Sequence, residues 1–545
     1  MKNGLPYIAF LLLVSCVSCG KPTVEPQPAP SGEVGASAPT ELAGFPYMGL
    51  VSCNGKPVAG AVLTDGVNVT ATNRDGHYWL QGVPQGSGRQ TDFIILSVPP
   101  GYRLVSPENA WARPQSGSSK VQRFDFILTP EDQSSYSLMV FADMHLSGRN
   151  PSRENFSIST LGLDFDQFKD YNNYIGTYAS SIDEPVYGVN LGDMTQQQYW
   201  SSGSFKDYIE AFRPGFPVYN VIGNHDHDHN EKTDYAATRK YRESLGPTYY
   251  SFNIGTQHYI ALDNMVFENA ANTDDYKVTI DDIQISWLEK DIAAAPKETT
   301  DFVILCHVPF ATLQSSGEGT ATTLSSKKWL SNMSTVLALF SGRKLSILSG
   351  HQHWKLSYPI QDNVMQYCHN SVCGSWWYTP LCHDGTPAAF EHYKFQGEQM
   401  RHSFLPLAKE YRSLRYRVYP EGITSQSGYL RPTDAGYENH SAEDDRSSYP
   451  AAVNINLFEY EPGWTVTVTE DGKESLCYPV PRTDFEHRNL CDNGTVPYKK
   501  YSWLKSSRTL HTLQYVPSKT GARLSFRISD QEGRPKYAIS NIVVK

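Results

Sequence analysis

Residues 137–145 read SLMVFADMH, an apolar run of strand length that stops on Asp143, Met144 and His145. The pattern returns four times downstream. EPVYGVNLGD stops on Gly192 and Asp193, FPVYNVIGN runs into Gly223, Asn224, His225 and Asp226, DFVILCH ends on Cys306 and His307, and KLSILSGH leads into Gly350, His351, Gln352 and His353. Longer amphipathic or irregular segments separate these apolar runs, which reads as an α/β layer arrangement. In open α/β folds the carboxyl ends of the strands line the functional crevice, so the five endings are expected to converge.

Outward from this middle region the texture of the sequence changes on both sides. From Gly49 to about Thr129 come short β-branched and aromatic runs (GLVSC, AVLTDG, VNVTATN, GHYWL, FIILSVP, RFDFILT) cut by NGKP, DG and RDG turns, the pattern of a small β-sandwich. Beyond about Ser375 the chain returns to Tyr-rich, Gly-punctuated runs such as VNINLFEY, WTVTVTED and ARLSFRIS, which predict a second β-rich domain. No fixed-period repeat is present. The expected organisation is a signal segment at 1–19, a linker at 20–43, an N-terminal β-sandwich module at 44–130, an α/β domain at 131–375 and a C-terminal β-rich domain at 376–545.

The chain has 545 residues, enough for two to four domains with substantial cores. Charged residues make up only 19%, against 40 Gly, 34 Pro and 34 Tyr, a balance that excludes coiled coil and general disorder and suits a β-rich extracytoplasmic protein. A net charge of -10 without a long Lys/Arg run argues against broad attraction to nucleic acid, and no nucleic-acid-binding patch is evident. The one long apolar stretch, Tyr7 to Val17 after Lys2, is too short to span a bilayer stably and has the layout of a secretory signal. Its Leu13-Val14-Ser15-Cys16 resembles a bacterial lipobox, with Cys16, or alternatively Cys19, as the lipid attachment site. The Pro/Gly/Ala/Ser-rich segment that follows reads as a flexible tether. The expected location is therefore the cell envelope, as a lipoprotein in the periplasm or at the outer-membrane surface, held to the membrane by its lipid alone.

Of the seven other cysteines, Cys477 with Cys491 and two of Cys368, Cys373 and Cys382 are candidates to pair in an oxidising compartment, while buried free cysteine is the alternative. With no CxxC pair among these seven, a zinc ribbon is unsupported.

The polar residues that end the middle strands are imidazoles, carboxylates and an amide. That mixture of borderline and hard donors suits Fe, Mn, Zn or Ni better than Ca or copper thiolate centres. A bridging carboxylate can hold two such ions about 3.5 to 4 Å apart, a pair that clamps the attacking and leaving oxygens of an in-line displacement at phosphorus. Water acidified between the metals would supply the hydroxide.

The ordered set D-x-H, GD, GNH[DE], H and GHxH over roughly residues 136 to 356 resembles the calcineurin-like metallophosphoesterase superfamily. The resemblance implies a central double β-sandwich flanked by helices and two divalent or trivalent transition-metal ions. Asp143, His145, Asp193 and His353 would bind one ion, and Asp193, Asn224, His307 and His351 the other, with Asp193 bridging. His225 would donate a proton to the leaving oxygen or hydrogen-bond the phosphoryl group, with Asp226 either orienting His225 or serving as a turn residue behind the centre. His227, Asp228 and His229 are candidates for an extra contact or for supporting roles. Arg149 and Arg153 are candidates to grip phosphate.

Two departures from better-known branches narrow the expectation. MTQQQ after Asp193 replaces the GDxVDRG pattern of Ser/Thr protein phosphatases. Gln196 stands where purple acid phosphatases require a tyrosine ligand. The string from Asn54 to Leu80 resembles the carboxypeptidase-regulatory or prealbumin-like modules, expected here as a spacer or docking module. Trp376 and Trp377, in NSVCGSWWYTPLCHDGTP, are candidates to frame a substrate cleft or to pack at a domain junction. The whole layout resembles the three-domain calcineurin-like phosphoesterases of Bacteroidetes-type bacteria. The function so implied is metal-dependent hydrolysis of a phosphomonoester or phosphodiester, the substrate being a phosphorylated small molecule, a lipid headgroup or a glycan. The alternative is a non-catalytic envelope protein that binds glycan or a partner around a structural metal site.

Overall fold

The computed structural model describes residues 38–84, 89–146, 162–196, 204–267, 276–314, 325–419, 453–479, 482–497, 499 and 501–544. Cys16, Cys19, Arg149 and Arg153 lie outside these residues.

The middle of the chain forms two sheets packed face to face. In the first, Ser135–Phe141 pairs in parallel with Val186–Asn190, which pairs in parallel with Val218–Asn220. In the second, Gln257–Ala261, Asp301–Leu305, Lys344–Ser349 and Val364–Cys368 run parallel in that order, with Tyr250–Ile254 and Leu356–Gln361 antiparallel at the edges. Side chains alternate along a strand, and the partition follows residue by residue. Tyr136, Leu138 and Val140 face the interior between the sheets with Tyr259, Val303, Leu305 and Leu348. Met139 and Phe141 point outward onto Phe168, Tyr171 and Ile175 of the helix Gly162–Ala179. On the far side Ile260, Phe302, Ile304 and Ile347 pack against Trp287, Leu288 and Ile292 of the helix Asp282–Ala294. This is the expected double β-sandwich flanked by helices.

The N-terminal strands form a six-stranded and a four-stranded sheet whose buried residues, among them Val51, Leu63, Leu96 and Phe126, are continuous with the inter-sheet core. The module is joined to the sandwich by polar contacts as well. The Asn253 amide donates to the Val98 carbonyl at 3.0 Å, and Arg89 pairs with Asp281 at 2.8 Å. A C-terminal seven-stranded sheet has its own core around Ile455, Val468, Leu513 and Phe526.

One expectation needs correction. The boundary at 375 does not match the sheets, because Ala389–Gln396 pairs antiparallel with Ser135–Phe141 and Gln399–Pro406 adds beyond it. These Tyr- and Phe-rich strands look like the β domain that follows them, and only long-range pairing assigns them to the sandwich. Of the two readings open for the cysteines, the structure takes the buried thiol: the Cys477 sulfur faces the Gln514 carbonyl at 3.2 Å, Cys368 the Gly350 carbonyl at 3.2 Å and Cys382 the Ser371 carbonyl at 3.6 Å.

Candidate metal centre

The five strand endings do converge. His145 Nε2 lies 3.0 Å from His353 Nε2, which is 3.4 Å from Asp143 Oδ1. His307 Nε2 lies 3.0 Å from Asn224 Oδ1 and 3.2 Å from His351 Nδ1, and the same Asn224 oxygen is 3.0 Å from His351 Nδ1. Asp193 Oδ2 stands between the two groups, 3.6 Å from His145 Nε2 and 3.1 Å from His307 Nε2. Nitrogen and oxygen ligands held about 2.0–2.2 Å from one ion are themselves about 3.0–3.5 Å apart, so the donor spacing fits an ion on each side of Asp193.

Backbone conformation aims these side chains. Asp143, His145, Asp193, His351 and His353 all have positive φ, between 43° and 71°. For a residue with a Cβ this left-handed region costs about 1–2 kcal/mol, and such strain concentrates at functional sites. The motif glycines supply the room. A Cβ at Gly223 would lie 2.2 Å from Asp193 Oδ1, and one at Gly350 would lie 2.6 Å from Asp143 Oδ2.

The electrostatics suit a cation. Burial alone would raise the Asp193 carboxyl, but His307, His225 and His145 outweigh it and hold it well below the usual range. Asp143 is likewise lowered, burial being overcome by His353 and His307. Burial keeps His145 and His351 neutral, the latter pushed down to about 3. His307 is pushed the other way despite burial, up to about 9 by Asp193 and Asp143, so the carboxylates draw positive charge to this point.

Around the donors lies a supporting layer. His145 Nδ1 donates to Gln196 Oε1 at 2.9 Å and His307 Nδ1 to the Leu191 carbonyl at 2.8 Å. The Asp226 carboxylate accepts from the backbone amides of Asp193, Gly223, Met194 and Thr195 at 2.8, 2.9, 3.1 and 3.3 Å. Of the two roles open for it in the sequence, Asp226 therefore takes the one behind the centre, clamping the loops that carry Asp193 and Asn224. Burial and the neighbouring Asp193 charge push its pKa up to about 8. His227 donates through Nδ1 to the Gly223 carbonyl at 2.9 Å and packs on Phe267, and Asp228 pairs with Lys240 at 2.6 Å, so both brace the loop.

His225 stands at the rim, its amide donating to Asp193 Oδ1 at 2.8 Å and its ring centroid 4.8 Å from that of His145. The two tryptophans separate in role. The Trp376 ring is 4.1 Å from His145, 5.0 Å from His353 and 5.3 Å from His225. Trp377 is buried, donating to the Met144 carbonyl at 3.0 Å and stacking on Tyr171, which makes it a core residue and not a cleft one. Sequence reading overlooked Tyr276, whose hydroxyl is 3.5 Å from His351 Nε2, and Trp329, 5.3 Å from the His351 ring. Neither belongs to a motif, and each reaches the centre only through folding.

Known protein families match this chain along most of its length. A model described as calcineurin-like phosphoesterase matches residues 136–355, one for the N-terminal part of such proteins matches 46–131, and one for the C-terminal part matches 366–523. No curated protein matches the sequence. Similar solved structures include a dimetal phosphatase from Danio rerio (12% identity, 49% of this chain and 95% of that one, TM-score 0.33). A purple acid phosphatase from yellow lupin seeds (11%, 64% and 68%, TM-score 0.34) and a 5'-nucleotidase from Candida albicans (11%, 50% and 52%, TM-score 0.32) are similar too. The three models together span the chain from residue 46 to 523 with short gaps, and the chain belongs to the calcineurin-like phosphoesterases, with that family's N-terminal and C-terminal modules on either side of the phosphoesterase domain.

Proposed function

We propose that the protein hydrolyses phosphoric monoesters or diesters at a two-ion centre in which Asp143, His145 and His353 hold one ion, Asn224, His307 and His351 the other, and Asp193 bridges them. The observation that carries this reading is the position of Asp193 Oδ2 between two donor groups at ligand-like spacing. Two bound ions supply positive charge for the phosphoryl oxygens and acidify water. His225, at the rim above His145, donates a hydrogen bond or proton on the side of the leaving oxygen. Trp376 on one flank and Tyr276 with Trp329 on the other offer flat apolar surfaces to the organic part of the ester. Arg149 is a further candidate to hold phosphate. The sequence of residues 2–19 supports export and lipid attachment at Cys16 or Cys19, placing the enzyme in the cell envelope. The 5'-nucleotidase and the Haemophilus influenzae NAD nucleotidase among the similar structures make nucleotides worth including among the substrates tried.

The test is hydrolysis of p-nitrophenyl phosphate and bis-p-nitrophenyl phosphate by metal-stripped protein reconstituted separately with Mn, Zn, Fe or Ni. Metal-dependent turnover that disappears in a folded Asp193→Asn variant is expected. Equal activity in that variant, or no turnover of these or nucleotide esters by protein carrying two ions, overturns the reading. Labelling with a radioactive fatty acid, lost on Cys16→Ala or Cys19→Ala, tests the anchor.

A further inference from the structure

A histidine that binds a metal through one ring nitrogen is fixed in tautomer and orientation by what the other nitrogen meets, commonly a carboxylate or carbonyl oxygen. His145 and His307 follow this rule, with Gln196 Oε1 at 2.9 Å and the Leu191 carbonyl at 2.8 Å. His351 has a hydroxyl oxygen in that place, that of Tyr276 at 3.5 Å from its Nε2, whereas His353 departs from the rule. Its Nε2 faces Asp143 and His145, while its Nδ1 meets the sulfur of Cys373 at 3.9 Å. The thiol is buried, 1% exposed, and with His145 and His353 forms a group whose ligand atoms lie within 4.8 Å of one another.

Cys373 is itself held by the centre it touches. Its amide donates to the carbonyl of Asp143 at 3.3 Å, its own carbonyl accepts from the Trp377 amide at 2.8 Å, and its sulfur lies 3.6 Å from the Gly374 carbonyl, where the S–H can point. That leaves a sulfur lone pair for the His353 Nδ1–H. One residue therefore ties Asp143 to His353, two donors of the same proposed ion, through its backbone and its side chain. Sulfur is a weak acceptor, and at 3.9 Å it grips the ring less firmly than the oxygens grip His145 and His307.

The structure assigns Cys373 as a positioning residue for His353, and with it makes the Asp143/His145/His353 site the weaker of the two metal sites. This rests on the two-ion reading proposed above. The ion on the Asn224/His307/His351 side binds first, and the ion on the His353 side second and with lower affinity. Serine does not replace the thiol, because its shorter C–O bond withdraws the acceptor from Nδ1.

The test is titration of the metal-stripped full chain with Co(II) and Zn(II), wild type beside Cys373→Ala. Cys382→Ala serves as control, since that buried sulfur meets Asn370 and Ser371 and, among the described residues, no histidine. Wild type is expected to take two ions in two steps. Cys373→Ala is expected to lower the affinity of the second step by about 10–100-fold, the range for loss of such a supporting contact. The first step, and the melting temperature of the metal-free protein relative to the control, should stay unchanged. The Co(II) protein should show no thiolate-to-cobalt charge-transfer band. Two unchanged steps in Cys373→Ala, equal weakening of both steps, or a charge-transfer band lost in Cys373→Ala overturns the positioning role while leaving the two-ion reading intact. A wild type that takes up fewer than two ions overturns both.

Discussion

Asp226→Asn isolates what holds the centre together without touching a proposed ligand. The amide has the shape of the carboxylate but accepts at one oxygen only. In the native chain Oδ2 accepts from Asp193 and Gly223, and Oδ1 from Met194 and Thr195. Turned so that its NH2 replaces Oδ1, the amide leaves the Thr195 N–H without its acceptor while Met194 keeps Oδ2 at 3.4 Å; turned the other way it leaves Asp193 and Gly223 without theirs, in a fully buried position. Each buried donor left unsatisfied costs about 1–3 kcal/mol, so with one or two of them stranded the substitution is expected to destabilise the metal-free protein by about 1–6 kcal/mol. Because the freed loops carry Asp193 and Asn224, affinity for both ions should fall, by about tenfold or more. Urea unfolding at pH 9, above the raised Asp226 value so that the native group is a carboxylate, followed by tryptophan fluorescence, measures the first quantity, and metal content after equilibrium dialysis the second. An Asp226→Asn protein within about 0.5 kcal/mol of wild type and still carrying two ions would refute the clamp.

His225→Ala should retain both ions and lose turnover by about 10²–10⁴-fold, the usual contribution of a positioned acid or base; wild-type turnover at saturating substrate would remove His225 from the reaction. Lys355, next after Trp354 in the loop that leaves the last motif, is buried at 2.8 Å from Glu391, and Lys355→Met leaves that carboxylate without its lysine partner. The expected cost is about 3–5 kcal/mol in urea unfolding, and a change below about 1 kcal/mol would show that His402 and Tyr393 suffice to hold the charge. The pH dependence of stability should carry the signature of His402, which lies between Glu391 and Glu461 with Lys355, His369 and Tyr393 packed around the same carboxylate. Burial and Lys355 lower its pKa, yet the two glutamates prevail and raise it above the unfolded value. Its stabilising contribution is therefore complete below about pH 6.5 and is lost as pH rises through the raised value. The stability difference between wild type and His402→Gln should shrink from pH 6 to pH 9, and a difference that grows would contradict the assignment.

Strand endings were legible one by one because each is local. An apolar run followed by Asp-Met-His or Gly-His-Gln-His marks both a buried strand and the polar residues its carboxyl end must expose. Glycines 192, 223 and 350 stand in the same motifs, but that they let a neighbouring ligand approach is shown only by the structure. The alternation of Tyr136, Leu138 and Val140 against Met139 and Phe141 even predicts the two faces once the strand is known. What the linear order does not contain is pairing across long separations. Ala389–Gln396 completes the sandwich 250 residues away from Ser135–Phe141, and nothing in its own composition distinguishes it from the strands of the β domain that follows. The same limit hides Gln196, Cys373, Tyr276 and Trp329, whose relation to the histidines exists only when loops from different strands meet. It also left open which way Asp226 points and which of two adjacent tryptophans enters the core. Residue chemistry and local periodicity set the ligand types and the strands, whereas the partners of each side chain depend on contacts between distant segments that only the folded chain brings within hydrogen-bond reach.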